Sequence, residues 1–261
     1  MTAVWIILAA LLAVVLLGTV LFLIACRRGP VPDLTKPEVI AKWGRTEQTE
    51  EILAGVRLMQ DAENIFLPSY DGLRLHGRLL QQPGAKGTIL LFHGYRSSWV
   101  IDFSIVLPYY FTLGYNLLAV DERAHGESEG MYITFGVRER HDVATWAAYA
   151  AMHFGPAHPL ILDGLSMGAA TVLMASELEL PASVTEAVAH TKLPVLFIHG
   201  TGDQFVPCSM SQAAYDACTG EKRLILVEGA GHGQSYLVDR PRVQAAIREF
   251  LTDYVLQEAS T

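Results

Sequence analysis

From residue 64 onward, short apolar runs of strand length alternate with segments long enough to form a helix. Continuous apolar runs are typical of strands whose two faces are both covered. Strands separated by helix-length segments predict an α/β fold, with a mostly parallel sheet covered by helices on both faces. The predicted strands are residues 64–69, 73–81, 88–92, 115–120, 160–162, 195–198 and 224–227, and the predicted helices are residues 136–154, 167–178, 184–190 and 243–256.

The N-terminal region differs sharply, because residues 3–25 contain no charged side chain. As a helix rising ~1.5 Å per residue, this segment reaches about 34 Å, which covers a hydrocarbon core of roughly 30 Å. A cleaved signal peptide or lipoprotein processing at Cys26 are the alternatives. No Lys or Arg precedes the run, and it exceeds the roughly 7–15 apolar residues of a usual signal peptide. These features favour one retained transmembrane helix.

Flanking charge predicts the orientation of this helix. Arg27 and Arg28 follow the apolar run at once, whereas the other flank has only the free amine. The positive-inside rule therefore places the rest of the chain in the cytoplasm, as a single-pass membrane protein. Residues 26–63 are predicted to be a linker that contains an amphipathic helix at 46–62, docked on the domain or on the bilayer surface. Residues 64–257 form the predicted globular domain.

Composition excludes several classes of function. The formal net charge is −8 and there is no Lys/Arg cluster long enough to bind a phosphate backbone, so nucleic acid is not an expected partner. The three cysteines form no CxxC pair and have no histidine at metal-ligand spacing, which argues against a metal site or a disulfide framework. The sequence contains neither GxGxxG nor a P-loop, and we expect no cofactor.

A serine flanked by glycines follows the predicted strand 160–162. The pentapeptide is GLSMG, residues 164–168, and a helix-forming segment comes directly after it. A strand–turn–helix with this pattern is the nucleophile elbow, in which a tight turn pushes the serine out of the sheet. The helix N-terminus also places free N–H groups beside the serine. We therefore expect Ser166 to be a nucleophile.

A serine nucleophile needs a base, and the base needs an acid that orients it. Asp203 follows the predicted strand 195–198, and His232 follows the predicted strand 224–227. Both lie in glycine-rich loops at the carboxyl ends of strands, so the three side chains are expected to converge. The order Ser, Asp, His is also the order of this kind of triad in α/β-hydrolases.

The oxyanion of a tetrahedral intermediate needs backbone N–H donors. The residue after the nucleophile, Met167, is expected to supply one. The loop after strand 88–92 reads HGYR, and Tyr95 is expected to supply the other. His93 competes with His232 as a base, but its place at the start of the loop predicts that it braces the loop by hydrogen bonding.

Five motifs together resemble the α/β-hydrolase superfamily, specifically its serine aminopeptidase-like and monoacylglycerol-lipase-like branch with bacterial membrane-anchored members. They are HGY at 93–95, DERAHGES at 121–128, GLSMG at 164–168, GTGDQFVP at 200–207 and GAGHG at 229–233. The resemblance implies metal-independent hydrolysis of carboxylic esters, thioesters or amides. It also implies the roles of nucleophile for Ser166, base for His232 and acid for Asp203.

One interval departs from that family. Such proteins usually have another strand, a helix and often a cap between the nucleophile and the acid. Here residues 179–192 leave only 14 positions after the predicted helix, whereas a strand and a helix need about 17. The short interval therefore predicts that the cap and one strand are missing. One arrangement that would keep the triad together has strand 195–198 in the vacated place beside strand 160–162, which would bring Asp203 ~4.8 Å closer to the nucleophile strand.

The predicted function is a serine hydrolase that cleaves small acyl esters through an acyl-enzyme on Ser166. Two alternatives stay open: a catalytically impaired binding or scaffold protein, and a peptidase or lactonase of the same fold. The predicted partners are the ester substrate and, through the N-terminal helix, the lipid bilayer. The sequence does not indicate an oligomeric state.

Overall fold

The computed structural model describes residues 2–30, 36–42, 46–177 and 183–255. The strands are β1 (Glu63–Pro68), β2 (Arg74–Leu80), β3 (Thr88–Phe92), β4 (Asn116–Asp121), β5 (Leu160–Gly164), β6 (Val195–Gly200) and β7 (Lys222–Val227). The helices are α1 (Thr2–Cys26), α2 (Pro37–Lys42), α3 (Thr49–Leu58), α4 (Trp99–Phe103), α5 (Leu107–Thr112), α6 (Glu139–Phe154), α7 (Met167–Ala175), α8 (Val184–His190), α9 (Cys208–Ala217), α10 (Ser235–Val238) and α11 (Arg240–Tyr254).

The main sheet has five strands in the order β1-β2-β4-β3-β5. The pairs β1–β2 and β2–β4 are antiparallel, whereas β3 is parallel to both β4 and β5. The prediction of a mostly parallel sheet is therefore wrong for this sheet, which is mixed. The hairpin of β1 and β2 causes the difference, because β2 continues into an antiparallel pairing with β4.

Strands β6 and β7 form a separate parallel pair. The arrangement in which the strand at 195–198 pairs with the strand at 160–162 is wrong, since β6 is hydrogen-bonded to β7 and not to β5. In a parallel sheet, the backbone N–H and C=O groups of successive residues point alternately to the strand on one side and to the strand on the other. Pro159 and Leu165 bond to β3, so the backbone groups of Leu160 and Leu162 point away from it. β5 therefore has an unpaired edge in the described part of the chain.

Two hydrophobic layers cover the main sheet. On one face, α3, α4, α5 and α11 enclose a core that also contains side chains of the second sheet, such as Val227. On the other face, α6 packs through Trp146 and Val143 against β2, β3 and β4. The first core joins the two sheets across the edge where they are not hydrogen-bonded, so packing holds β6 and β7 in place.

Two predicted helices have shifted boundaries with clear local causes. Helix α6 begins at Glu139 rather than at 136, because Gly136 has a φ of +96° and its N–H donates to the Glu139 carboxylate at 2.9 Å. The predicted helix at 46–62 consists of α3 between two 3₁₀ turns. Its apolar face is docked on the domain, with Ile52 and Met59 fully buried. Residues 178 and 256, the predicted ends of two other helices, lie outside the described residues.

The apolar N-terminal segment forms one helix, α1, and its side chains are exposed over nearly its whole length. Its length and hydropathy are sufficient to cross a membrane. Its C-terminal end contacts the domain: Phe22 packs on Tyr132 with ring centroids 5.3 Å apart, and Arg27 pairs with Tyr132 through the backbone.

Candidate active site

Ser166 occupies a sharp turn between β5 and α7. Its φ and ψ are +57° and −115°, a region that residues other than glycine rarely adopt. The turn is possible because a glycine stands two residues before Ser166 and another two residues after it. A Cβ on Gly168 would lie 1.9 Å from the carbonyl oxygen of Phe92, and one on Gly164 would lie 2.3 Å from the carbonyl oxygen of Gly168. Strained backbone of this kind is found where function requires it.

The three predicted triad side chains meet in one hydrogen-bonded chain. His232 Nε2 lies 2.8 Å from Ser166 Oγ, and His232 Nδ1 lies 2.7 Å from Asp203 Oδ2. The carboxylate can only accept, so Nδ1 carries the proton and leaves Nε2 free to accept from the serine hydroxyl. A base with this tautomer can take the proton of Ser166 when the oxygen attacks a carbon centre.

The carboxylate of Asp203 is held from two sides. Its Oδ1 accepts the backbone N–H groups of Phe205 at 2.9 Å and Val206 at 2.8 Å, while Oδ2 is bonded to His232. Burial acts to raise the pKa of Asp203, but the N–H of Val206, the His232 side chain and the N–H of Phe205 outweigh it, so the pKa lies below its usual value. The group therefore stays ionised at neutral pH, as an orienting acid must.

His199 is a further neighbour of Asp203 to which the sequence analysis assigned no role. Its Nε2 lies 3.2 Å from Asp203 Oδ2 and 3.0 Å from the carbonyl oxygen of Val206, and Nδ1 lies 2.7 Å from Ser211 Oγ. Both neighbours of Nε2 are acceptors, so Nε2 carries the proton and Ser211 donates to Nδ1. The only feature of the sequence that could have indicated this contact is the position of His199, four residues before Asp203 and near the end of β6.

The loop after β3 passes directly over the nucleophile. A Cβ on Gly94 would lie 3.3 Å from Ser166 Cβ. His93 is fully buried; its Nδ1–H donates to the Gly94 carbonyl at 2.9 Å and its Nε2 accepts the N–H of Glu122 at 3.2 Å. The prediction that His93 braces this loop is confirmed. Asp102 adds a second brace by accepting the N–H of Gly94 at 2.7 Å.

The two backbone donors predicted for an oxyanion have no acceptor among the described residues. The N–H groups of Tyr95, in the loop, and Met167, at the start of α7, both lack a protein partner there. Met167 follows Ser166 directly, and Tyr95 follows Gly94, whose Cβ would lie 3.3 Å from Ser166 Cβ. Two unpaired N–H groups beside a serine hydroxyl are suited to bind a developing negative charge on oxygen.

The surroundings of the triad are open. The side chain of His232 is 31% exposed, and Phe205, which lies edge-on to it at 5.1 Å, is 76% exposed. A cleft of about 320 Å³ lies elsewhere, between α3, α5 and α10–α11, with Tyr109, Tyr236 and Gln244 in its wall. Within the described ranges, His, Cys, Asp and Glu side chains form no cluster of three that could hold a metal ion.

A mixed sheet with a serine at a strand-to-helix turn, joined to a histidine and an aspartate from later strands, defines the class of α/β-hydrolase-fold proteins. Residues 175–260 match the family described as TAP-like protein. The uncharacterized protein YqkD of Bacillus subtilis is 23% identical over 237 residues, covering 71% of this chain and 77% of the relative.

Solved structures agree with this fold. An esterase of Pyrococcus furiosus superposes with a TM-score of 0.66 at 21% identity, covering 75% of this chain and 92% of the esterase. Est1E from Butyrivibrio proteoclasticus, solved with ferulic acid bound, superposes with a TM-score of 0.61 at 18% identity. The superposition covers 74% of this chain and 99% of Est1E. These likenesses show that the chain has an α/β-hydrolase-like fold.

Proposed function

We propose that this chain is a serine hydrolase that cleaves carboxylic esters through an acyl-enzyme on Ser166. The observation that carries the proposal is the continuous chain from Ser166 Oγ to His232 and from His232 to Asp203, with distances of 2.8 and 2.7 Å. The esterase likeness supports the fold, and the chemistry is inferred from these side chains.

In the proposed reaction, Ser166 Oγ attacks the ester carbonyl carbon while His232 Nε2 takes the hydroxyl proton. The N–H groups of Tyr95 and Met167 donate to the resulting oxyanion. The intermediate collapses, the C–O bond to the alcohol breaks, and His232 returns the proton to the leaving oxygen. A water molecule, deprotonated by His232, then attacks the acyl carbon. The bond from that carbon to Ser166 Oγ breaks, Oγ takes the proton back from His232, and the carboxylic acid leaves.

Labelling with a fluorophosphonate, which phosphonylates an activated serine, tests this proposal on the full chain. The wild type should be labelled and should hydrolyse p-nitrophenyl acetate, and Ser166→Ala should lose both properties while keeping its circular dichroism. Ser209→Ala is the matched control, because Ser209 is exposed and lies on α9 outside the triad. Activity retained by Ser166→Ala would disprove the assignment, and an unlabelled, inactive wild type would favour the scaffold alternative.

We also propose that α1 is a retained membrane anchor rather than a cleaved leader. The junction after the helix is part of the fold: the N–H of Ile133 donates to the Cys26 carbonyl at 2.6 Å, and Arg28 donates to the carbonyl oxygens of Ser128 and Gly126. Processing before Cys26 would keep these contacts but would remove the Ile24 and Ala25 carbonyl groups, which accept from Arg96 and Tyr95. The basic pair Arg27 and Arg28 then favours a cytoplasmic domain.

An internal deletion accounts for the short interval before Asp203. The 237 aligned positions of YqkD fall on 71% of this chain, which is about 185 of its 261 residues, so about fifty positions of the alignment have no residue of this chain. The unpaired edge of β5 is where a deleted strand would have paired. Because the cap would belong to the same interval, its loss agrees with the open surroundings of Ser166.

A further inference from the structure

The last turn of α1 ends against the loop that passes over Ser166. The final carbonyl groups of a helix have no partner within the helix and must find donors elsewhere. Here the Ile24 carbonyl accepts from Arg96 Nη2 at 2.6 Å, the Ala25 carbonyl accepts from Tyr95 Oη at 2.7 Å, and Arg96 Nη2 also reaches the Arg27 carbonyl at 3.2 Å. The guanidinium also faces the negative end of the helix dipole.

The two residues that bond to the helix are neighbours in the oxyanion loop itself. Arg96 has a φ of +52°, and its backbone N–H donates to His125 Nε2 at 3.0 Å. The rings of Tyr95 and Phe135 are stacked, with their centroids 5.1 Å apart. The Arg96 guanidinium lies over the Tyr95 ring, with Cζ 5.1 Å from its centroid. The loop is thus held near Ser166 by its backbone, and the side chains of Tyr95 and Arg96 attach it to the carbonyl groups of α1.

We propose that the C-terminal turn of α1 positions the oxyanion donor of this site, with the side chains of Tyr95 and Arg96 as the positioning residues. This inference rests on the proposed hydrolase function. The Tyr95 backbone N–H and the Tyr95 hydroxyl belong to one residue, so a bond from that hydroxyl to the helix restrains where the N–H points. Displacement of a catalytic group by about 1 Å can reduce a rate about a hundredfold. The apolar helix is then part of the catalytic architecture as well as an anchor.

The test uses the full chain in detergent micelles with p-nitrophenyl acetate, a soluble substrate that does not depend on membrane partitioning. Tyr95→Phe removes only the hydroxyl, and Arg96→Met removes the guanidinium while keeping an unbranched apolar stem. Each should lower kcat about tenfold, and the double variant about a hundredfold, which is within the range for a lost oxyanion donor. KM should change less than about twofold, because the donor acts mainly in the transition state.

Two further variants separate positioning from a general structural effect. Arg96→Lys keeps a donor that can reach the Ile24 carbonyl and should restore most of kcat. Arg27→Gln alters a basic side chain of the same junction that makes none of these side-chain bonds, and it should behave as the wild type. Unchanged kcat in Tyr95→Phe and in Arg96→Met would overturn the proposal.

Hydrogen–deuterium exchange gives a readout that does not need activity. Amides 94–97 should exchange faster in Tyr95→Phe and Arg96→Met than in the wild type and in Arg27→Gln. If the wild type proves inactive and unlabelled by fluorophosphonate, the proposed function fails, but the exchange still decides whether the helix end orders this loop. Equal exchange in all four proteins would disprove the positioning role.

Discussion

Ser166 and His232 are joined by a hydrogen bond of 2.8 Å although the strands that precede them belong to different sheets. Ser166 follows β5 of the five-stranded sheet, and His232 follows β7 of the two-stranded sheet. No ladder of backbone hydrogen bonds connects the two sheets in the described chain. The triad therefore bridges a junction that side-chain packing maintains together with side-chain hydrogen bonds, such as that from Tyr109 Oη to the Gln244 carbonyl. Both its activity and its stability should depend on those contacts.

The identity of the base can be tested with two histidines from the two sides of this junction. His232→Ala should lose at least about a hundredfold in kcat, since general base catalysis typically contributes 10²–10⁴-fold. His93→Ala should keep part of the activity, because His93 contacts Gly94 and Glu122 but not Ser166. Greater damage from His93→Ala would show that the histidines were assigned wrongly.

His125 should make the fold sensitive to acid. Burial, with a smaller effect of His93, lowers its pKa from 6.5 to about 3. It is held neutral because Nδ1–H donates to the Arg123 carbonyl at 3.0 Å while Nε2 accepts the N–H of Arg96. The unfolded chain takes up the proton near pH 6.5 and the folded chain only near pH 3. Stability should therefore fall as pH decreases through this range, by at most about 1.4 kcal/mol per pH unit.

Urea unfolding at pH 7 and pH 5 measures this effect. His125→Gln keeps an acceptor for the Arg96 N–H but cannot be protonated, so its loss of stability between the two pH values should be clearly smaller than that of the wild type. His190→Gln, at an exposed position of α8, is the control and should retain the full dependence. Identical profiles for His125→Gln and the wild type would contradict the assignment.

The local parts of the site could be predicted from sequence, whereas its long-range contacts could not. Ser166, Asp203 and His232 each stand in a glycine-rich segment directly after an apolar run, and that placement is a local pattern. The pairing of β6 could not be predicted, because an apolar strand fits beside any covered neighbour. The bond from Tyr95 Oη to Ala25 joins residues 70 positions apart through a main-chain carbonyl, and no pattern in either segment signals it.

The anchor proposal predicts the behaviour of α1 in cells. The full chain should sediment with membranes and remain there after carbonate extraction, because 23 uncharged residues cannot leave the bilayer without exposing their apolar surface. A chain that starts at Pro32 should be soluble. In intact cells, external protease should leave the domain uncut. Cleavage under these conditions would overturn the cytoplasmic orientation.

The open surroundings of Ser166 predict weak selectivity for the acyl chain. One extra methylene in the substrate changes the binding free energy by roughly 1–3 kcal/mol only where apolar walls enclose it. Phe205 is the apolar side chain beside His232, and it is itself largely exposed. Rates with p-nitrophenyl esters from acetyl to palmitoyl should be highest for short, soluble chains and should show no sharp optimum. A sharp optimum at long chains would mean that α3 or α8 forms a substitute lid.

The split sheet predicts that the triad is lost before the main core unfolds. The edge of β6 that faces away from β7 carries the backbone groups of Leu196, Ile198 and Gly200, since Val195 and Thr201 bond to β7. Like the edge of β5, it has no partner strand in the described chain. Each missing hydrogen bond forgoes about 0.5–1.5 kcal/mol of net stabilisation, so the β6–β7 unit should separate under mild denaturation.

Two probes distinguish these events, because residues 183–255 contain no tryptophan while Trp99 and Trp146 are buried against the five-stranded sheet. In a urea titration of the full chain in micelles, fluorophosphonate labelling of Ser166 should decline at a lower concentration than the shift in tryptophan fluorescence. Two-state unfolding requires that such transitions coincide. Coincident midpoints would show that packing alone couples the two sheets into one cooperative unit, and the prediction of a weak junction would be wrong.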